Sequence, residues 1–198
     1  MSLQEDNGDD PGQGIVLSTP RLTLRPPRLA DAPRLARLAD NPRIAVETAR
    51  MPYPYREADA VAWISELHDA DAARVERAFL VLEGGGDGEI VGVASAMPCE
   101  GQDFEVGYWV GEPYWGRGIA TEAAQTVIDH VFRETGLPRL LGRCRAGNSA
   151  SRRVLEKCGF QFLSTGMIQS RVLNGPVPAE EFILERPIWQ SLKHWGRR

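Results

Sequence analysis

The chain has 198 residues, of which 42% are hydrophobic and 25% charged, and this composition is typical of one globular domain with a buried core. Its formal net charge of −4 excludes the basic excess that normally marks a nucleic-acid-binding surface. The sequence contains neither a signal-peptide pattern nor an apolar run near the ~18 residues needed to cross a bilayer. We therefore expect a cytoplasmic protein with no nucleic-acid or membrane partner.

The first 14 residues are polar and acidic, and we expect them to form a disordered leader before a domain over residues 15–190. A short strand with alternating leucines opens this domain, and Asp31 followed by Ala-Pro marks the start of the first helix. The loop MPYPY (residues 51–55) then leads into a second helix, in which apolar residues recur at helical spacing.

Three strands follow. RAFLVLE and EIVGVASAM form a predicted β-hairpin across the turn GGGDG, and FEVGYWV is the third strand. After the stretch YWGRGIATEA (residues 114–123), a helix carries a stripe of alanine and valine and is expected to end at a cap on Gly136. The strand LLGRCR, a helix ending at Gly159, the strands FQFLSTG and EEFILERP, and a tail over residues 191–198 complete the chain. This order predicts a mixed α/β layer structure.

Cysteine and histidine usage predicts no metal site. The three cysteines cannot all pair and match no zinc spacing, so we expect a reducing compartment and thiols that pack as small hydrophobes. The histidines, which we expect at the surface, are His68, His130 and His194.

The stretch YWGRGIATEA predicts an anion site. The first amides of a helix have no partner within it, and the helix dipole places about half a positive charge there. Gly116, Gly118 and Ala120 would let a phosphate approach the backbone, and Arg117 adds positive charge. Hydrogen bonds to a charged group contribute roughly 1.5–3 kcal/mol each, so three or four would anchor a pyrophosphate. The P-loop Gly-Lys-Ser/Thr is absent, and Thr121 replaces the third glycine of a Rossmann fingerprint.

Five segments carry a resemblance to a known family. In chain order they are STPRLTLRP, MPYPY, EVGYWV, YWGRGIATEA and NSASRRVLEKCGF. With these segments, residues 15–188 resemble the GNAT superfamily of N-acetyltransferases, in the branch of ribosomal-protein N-terminal acetyltransferases typified by RimJ and RimL. The resemblance implies a single-domain α/β fold of the GNAT acyl-CoA N-acyltransferase type, with a central, mostly antiparallel, splayed sheet flanked by helices. It also implies acetyl-CoA as the cofactor.

The family pattern Gln/Arg-x-x-Gly-x-Gly/Ala falls on residues 115–120, with Trp115 in the Gln/Arg position. The resemblance implies that the backbone of residues 116–121 holds the pyrophosphate of acetyl-CoA. The preceding strand is expected to splay from its neighbour, so that its backbone pairs with the pantetheine arm. Asn148 matches an asparagine that contacts pantetheine. The predicted cofactor-binding residues are Trp109, Val110, Gly116, Arg117, Gly118, Ile119, Ala120, Thr121, Asn148 and Ser151.

The implied reaction is direct attack of a primary amine on an acetyl thioester in a ternary complex. We expect the backbone N–H of Val110 to polarise the thioester carbonyl. Glu105, on the strand before the turn, is the candidate base through a water, with an exposed strand charge as the equal alternative. Tyr108 is a weaker catalytic candidate, because a strand tyrosine is usually a packing residue.

The departing thiolate needs a proton. Many relatives use a tyrosine at the position of Leu155, which cannot donate one. Ser151 resembles the serine that the RimL branch uses near the cofactor sulfur. The alternative is that Ser151 is a first-turn residue of a helix capped by Asn148.

The acceptor is predicted to be the α-amine of a protein N-terminus, from the branch resemblance. Deprotonating an α-amine at pH 7 costs about 1 kcal/mol, whereas a lysine costs about 4–5 kcal/mol, so a modest base suffices. Tyr53, Tyr55 and Trp63 are candidate acceptor contacts, with local packing as the alternative. Acetylation of a small-molecule amine and a non-catalytic acyl-CoA-binding sensor are alternative functions, and Leu155 favours the sensor. The sequence is compatible with a monomer or a homodimer.

Overall fold

The computed structural model describes residues 14–69, 77–85, 88–99 and 103–195. The expected leader therefore lies outside the described residues, apart from its last position. The strands are β1 (Leu17–Ser18), β2 (Leu22–Arg25), β3 (Arg77–Glu83), β4 (Glu89–Pro98), β5 (Phe104–Val110), β6 (Arg139–Arg145), β7 (Gln161–Ser170) and β8 (Gly175–Glu185). The α-helices are α1 (Ala32–Ala39), α2 (Pro42–Ala45), α3 (Glu57–Asp69), α4 (Ile119–Glu134), α5 (Ser149–Lys157) and α6 (Arg186–Trp195).

The strands form a single sheet in the order β1-β2-β3-β4-β5-β6-β8-β7. Its neighbouring strands are antiparallel except β5 and β6, which are parallel and joined through α4. This parallel pairing covers only Glu105↔Leu141 and Val106↔Gly142. The two strands diverge beyond that point, while β5 continues along β4 and β6 along β8. The predicted mixed α/β domain with a mostly antiparallel, splayed sheet is confirmed.

Hydrophobic cores lie on both faces of the sheet. One packs α4 and α5 against the strands, with Phe132 and Phe182 among its fully buried side chains. The expected stripe on α4 is buried at Ala124, Val127 and Val131. The other core packs α1 and α3 against β3 and β4. Because each strand alternates its side chains between the faces, both cores depend on the same strands.

Helix α4 ends differently from the prediction. A glycine cap at Gly136 was expected, but the capping residue is Thr135, in an extended conformation with φ −126°. The backbone N–H of Thr135 donates to the carbonyl of Val131 at 3.0 Å, and its hydroxyl donates to the same oxygen at 2.7 Å. This hydroxyl completes the helix end without a left-handed residue. Gly159, in contrast, has φ +92° after α5, as expected of a helix-ending glycine.

The last helix, α6, was not predicted and continues beyond residue 190, the expected end of the domain, into the expected tail. Its first residue closes the end of α4: the guanidinium of Arg186 donates to the carbonyls of Phe132, Thr135 and Leu137 at 2.6–2.8 Å. These carbonyls include groups that the helix leaves without internal partners. The contact spans about fifty residues of sequence, so no local pattern could indicate it.

The prediction of surface histidines was wrong for His130, which is buried on α4 and meets the ring of Phe79 edge-on. Burial lowers the pKa of His130, and the charge of Arg77 lowers it further. His68 and His194 are exposed. Within the described ranges, no group of three His, Cys, Asp or Glu side chains could hold a metal ion. No helix in this part of the chain is both long and apolar enough for a membrane span.

Candidate functional site

Strands β5 and β6 pair only near their first residues and then diverge, and the gap between their diverging ends is called the cleft. The N–H of Gly111 donates to the carbonyl of Val91 on β4 at 2.8 Å. In an antiparallel pair the residues alternate between those that bond to the partner strand and those that face away. Val110, one residue earlier, therefore directs its N–H and C=O towards the cleft.

The glycine turn, residues 115–118, lies at the end of this cleft. Gly116 and Gly118 have φ angles of +76° and +78°, which side chains other than glycine rarely adopt. A Cβ atom on Gly116 would meet nothing within 4 Å, and one on Gly118 would meet only the guanidinium of Arg21 at 3.7 Å. The turn thus presents bare backbone to open space.

Helix α4 begins directly at this turn. Gly118 is its capping residue, and no side chain caps the first turn. The first internal bond of the helix runs from the N–H of Glu122 to the carbonyl of Gly118 at 3.1 Å. The amides of Ile119, Ala120 and Thr121 therefore precede the internal bonds of a 16-residue helix and carry the positive end of its dipole. An anion is the natural partner of such an end.

Ion pairs surround the turn. The guanidinium of Arg117 donates to both carboxylate oxygens of Glu83 at 2.7 and 2.9 Å, so much of its charge is offset. Arg21, which sequence reasoning missed, donates to the carbonyl of Arg117 at 3.1 Å and pairs with Glu122. Burial opposes ionisation of Glu122, but hydrogen bonds from Thr19 and Arg21 outweigh it and lower the pKa of this carboxyl. The Arg21–Glu122 pair joins residues 101 positions apart, beyond the reach of any local signal.

Two predicted catalytic residues meet between β5 and α5. The hydroxyl of Tyr108 lies 3.0 Å from the Oγ of Ser151 and donates to the Ser151 carbonyl at 3.1 Å. Burial raises the pKa of Tyr108 well above its usual range, although the bond to Ser151 opposes the rise. Tyr108 therefore stays protonated at neutral pH and has a proton to donate.

Asn148 caps α5. Its Oδ1 accepts the backbone N–H of Ser151 at 3.0 Å, so the expected capping geometry is present. Leu155, one turn further along α5, is 1% exposed and packs over Gly142. The position that many relatives give to a tyrosine is thus part of the core here, and the nearby phenol comes from the strand residue Tyr108.

Glu105 is held by an arginine on the neighbouring strand. Arg143 donates to Oε2 of Glu105 through Nε at 2.8 Å and also through Nη2. The Glu105 side chain is only 16% exposed, so it is not a freely solvated strand charge. Because side chains alternate along a strand, Glu105 and Tyr108 point to opposite faces of β5. The structure does not bring these two candidates together.

The three predicted acceptor contacts have different environments. Tyr55 is 8% exposed and belongs to the core under α1 and α3, and burial raises its pKa to about 12. Trp63 packs against the same core. Tyr53 is 47% exposed. Of the three, only Tyr53 has a largely accessible side chain.

An open groove of about 540 Å³ lies between the segment after α2 and the β7–β8 hairpin tip. The backbone N–H of Arg171 at this tip donates to the carbonyl of Ala49 at 3.0 Å. Nearby, the guanidinium of Arg145, at the end of β6, donates to the carbonyl of Val46 at 3.0 Å. The groove therefore adjoins the side of the molecule where β6 ends.

Comparisons with known proteins agree with this architecture. Residues 21–161 match the family described as the acetyltransferase (GNAT) domain. An uncharacterized N-acetyltransferase, p20, of Bacillus licheniformis is 29% identical over 148 residues, 74% of this chain and 82% of that protein. The ribosomal-protein-serine acetyltransferase of Escherichia coli is 33% identical over 110 residues, 54% of this chain and 58% of that protein.

Solved structures resemble the fold. The structure of Mycobacterium smegmatis RimJ in complex with CoA-disulfide superposes with a TM-score of 0.76. It is 23% identical and covers 94% of this chain and 97% of that one. At this level of identity the likeness concerns the course of the backbone.

Proposed function

The chain belongs to the GNAT family of acetyltransferases, and from that premise we propose that it moves an acetyl group from acetyl-CoA to the α-amine of a protein N-terminus. We propose direct attack within a ternary complex, without a covalent acetyl-enzyme. The observation that carries the proposal is the cleft between β5 and β6, which ends at the uncapped start of α4.

The residues around the cleft fit the donor. We assign its pyrophosphate to the amides of residues 116–121, because the left-handed glycines leave that backbone exposed and the helix dipole favours an anion. The pantetheine arm would lie along the cleft-facing edge of β5 beside Trp109 and Val110. When bound, acetyl-CoA supplies an activated acetyl thioester.

The Val110 N–H is the proposed electrophilic group. It faces the cleft from a strand that is fixed on its other edge by β4, so it needs no reorganisation to donate. A preorganised donor of this kind stabilises negative charge developing on a carbonyl oxygen. Removing such a donor typically lowers kcat by about 10²–10³-fold.

The Tyr108–Ser151 pair is the proposed proton source for the departing thiol. Tyr108 holds its proton at neutral pH, and its hydroxyl is shared between Oγ and the carbonyl of Ser151. The pair lies at the start of α5, one turn before the buried Leu155. These hydroxyls supply what Leu155 cannot, and so they favour an enzyme over a sensor.

The amine needs only a modest base if it is an α-amine. Glu105 is the proposed base, acting through a water, since both hydrogen bonds from Arg143 end on Oε2 and Oε1 is the other acceptor. The arginine would hold this carboxylate in place. A lysine side chain, with its higher pKa, would be a poorer acceptor at neutral pH.

The preference for a protein acceptor has two supports. The E. coli relative is a ribosomal-protein-serine acetyltransferase. The open groove beside Arg50 and Arg171 also gives room for the residues that follow a terminal amine. A small-molecule amine would need no such room.

The test is an acetyl-CoA turnover assay with peptides that differ in their first residue. We expect thiol release together with acetylation at the peptide N-terminus, located by mass spectrometry. The matched control is the same peptide with a blocked N-terminus and a free lysine, which should react far more slowly. Turnover with small amines alone would contradict the acceptor assignment. Acetyl-CoA binding without turnover on any amine would support a sensor.

A further inference from the structure

Trp115 stands at the corner between β5 and the glycine turn. Its indole Nε1–H donates to the carbonyl of Val110 at 2.6 Å. The same peptide unit donates at its other end, from the N–H of Gly111 to the carbonyl of Val91 at 2.8 Å. The peptide between Val110 and Gly111 is therefore held at both its donor and its acceptor.

This contact matters because the N–H and C=O of one strand residue leave the same edge of the strand. The carbonyl of Val110 thus points into the cleft beside the N–H that is proposed to stabilise negative charge. A bare carbonyl oxygen there would oppose that charge. The bond from Trp115 occupies the oxygen and fixes the direction of the strand end.

The indole is itself held from the outside. The guanidinium of Arg43 stacks over its ring at 5.0 Å from the centroid. Arg43 forms an ion pair with Glu112, which also accepts from the side-chain amide of Asn41 at 2.7 Å. The hydrogen bond from Asn41 lowers the pKa of Glu112, burial opposes it, and the Arg43 charge lowers it further. The start of α2 is thereby linked to the end of β5.

We propose that Trp115 is a positioning residue for the transfer step. Its indole N–H holds the Val110 carbonyl so that the adjacent Val110 N–H is the polar group offered to the reacting carbonyl. Glu112 supports this arrangement by keeping Arg43 on the ring. The inference rests on the proposed function, since it concerns the role given there to the Val110 N–H.

The test is Trp115→Phe, which keeps an aromatic ring and removes the indole N–H. We expect kcat to fall about tenfold, less than for direct loss of an oxyanion donor, with the Kd for acetyl-CoA changed less than about threefold. Glu112→Gln should lower kcat by about two- to threefold, because it weakens only the support of the ring. The matched control is Trp189→Phe. Its indole donates to Asp129 at 2.8 Å away from the cleft, so its loss should lower Tm and leave kcat unchanged.

Amide hydrogen exchange gives a readout that needs no turnover. Trp115→Phe should speed exchange at Gly111, whose N–H belongs to the peptide that the indole holds, and Trp189→Phe should not. Unchanged exchange at Gly111, or an unchanged kcat in an active enzyme, would overturn the positioning role. Equal losses of kcat in both variants would also overturn it, by indicating general destabilisation. A wild-type protein without turnover would refute the proposed function, while the exchange data would still decide whether Trp115 holds this peptide.

Discussion

Two helices begin beside the same cleft, and they begin in opposite ways. Helix α5 starts behind Asn148, whose side chain accepts the N–H of Ser151. Helix α4 starts behind Gly118, in a left-handed conformation and without any side-chain cap. One start is completed by its own sequence, whereas the other leaves donors available to a ligand. The difference indicates that the start of α4 is suited to bind a ligand, whereas the start of α5 positions a side chain.

The contrast also separates two kinds of predicted site residue. At α4 the useful groups are backbone amides, so the side chains there matter mainly by being small. At α5 the useful groups are the hydroxyls of Ser151 and Tyr108, and the cap holds the first turn that carries Ser151. Substitutions at the two helix starts should therefore affect different measurements.

The largest expected effect comes from placing a side chain at the uncapped start of α4. Gly118→Val should reduce acetyl-CoA binding by more than about 100-fold, because a branched side chain enters the proposed phosphate site and strains the left-handed backbone. At an acetyl-CoA concentration of 100 times the wild-type Kd, the ligand stabilises the folded wild type by about 2.7 kcal/mol. The variant should lose most of the rise in Tm that this stabilisation produces. Gly136→Val is the control, because a Cβ there meets nothing within 4 Å. An intact shift in Gly118→Val would contradict the assignment of the turn.

The next effect concerns the hydroxyl pair. Tyr108→Phe and Ser151→Ala should each lower kcat by about 10- to 100-fold with little change in acetyl-CoA affinity, since general acids typically contribute at least this much. Because the residues share one interaction, the double variant should lose less than the product of the single losses. Initial rates at saturating substrates measure both. Wild-type rates in either variant would return that residue to a packing or capping role.

The pH dependence sharpens the assignment of Tyr108. Burial raises the pKa of this phenol above its usual value near 10, so the proton should remain in place through mildly alkaline pH. Between pH 7 and about 9.5 we therefore expect no fall in kcat caused by ionisation of Tyr108. The pH profile of Tyr108→Phe should have the same shape as that of the wild type over this range. The contribution of the buried, protonated phenol to the free energy of unfolding is complete below pH 10 and is lost as the pH rises further. Denaturant titrations at several pH values can follow this loss. An alkaline loss of kcat near pH 8 that disappears in the variant would contradict this protonation state.

The smallest expected effect comes from removing the side-chain cap at the start of α5. Asn148→Ala should lower the free energy of unfolding by about 1 kcal/mol, the usual cost of a lost cap. For a chain of this size the corresponding fall in Tm is about 2–4 °C. Asn148→Asp keeps an oxygen at the capping position and should retain most of the stability. If Asn148→Asp weakens acetyl-CoA binding without loss of Tm, the predicted pantetheine contact gains support separately from the cap.

The local sequence predicted the glycine turn and the capped helix α5, because both are determined by residues within a few positions of each other. Alternation and spacing also predicted most strands, and the family resemblance supplied the splay between β5 and β6. The final helix was missed, since EEFILERP resembles a strand that ends at proline. Yet proline fits the first turn of a helix, and α6 contains Pro187 there.

The interior of the site was less accessible to sequence reasoning. The meeting of Tyr108 with Ser151 spans 43 positions, and only the packing of α5 on the sheet brings them together. Glu105 was expected to be either a base or an exposed charge, but it is paired with Arg143, 38 positions away. The bond from Trp115 to Val110 spans only five positions, but it depends on the path of the turn. Local chemistry predicts which residues can act, and tertiary packing decides which of them meet.

Helix α4 is chemically unequal at its two ends. Arg186 supplies a permanent cation where the carbonyls emerge, so that end needs nothing from solution. At the opposite end, the first-turn carboxylate of Glu122 is already paired with Arg21, so a bound phosphate would be the group that balances the helix amides. The opening turn of α4 should consequently tighten when the donor arrives, while the closing turn should behave alike in the free and loaded protein.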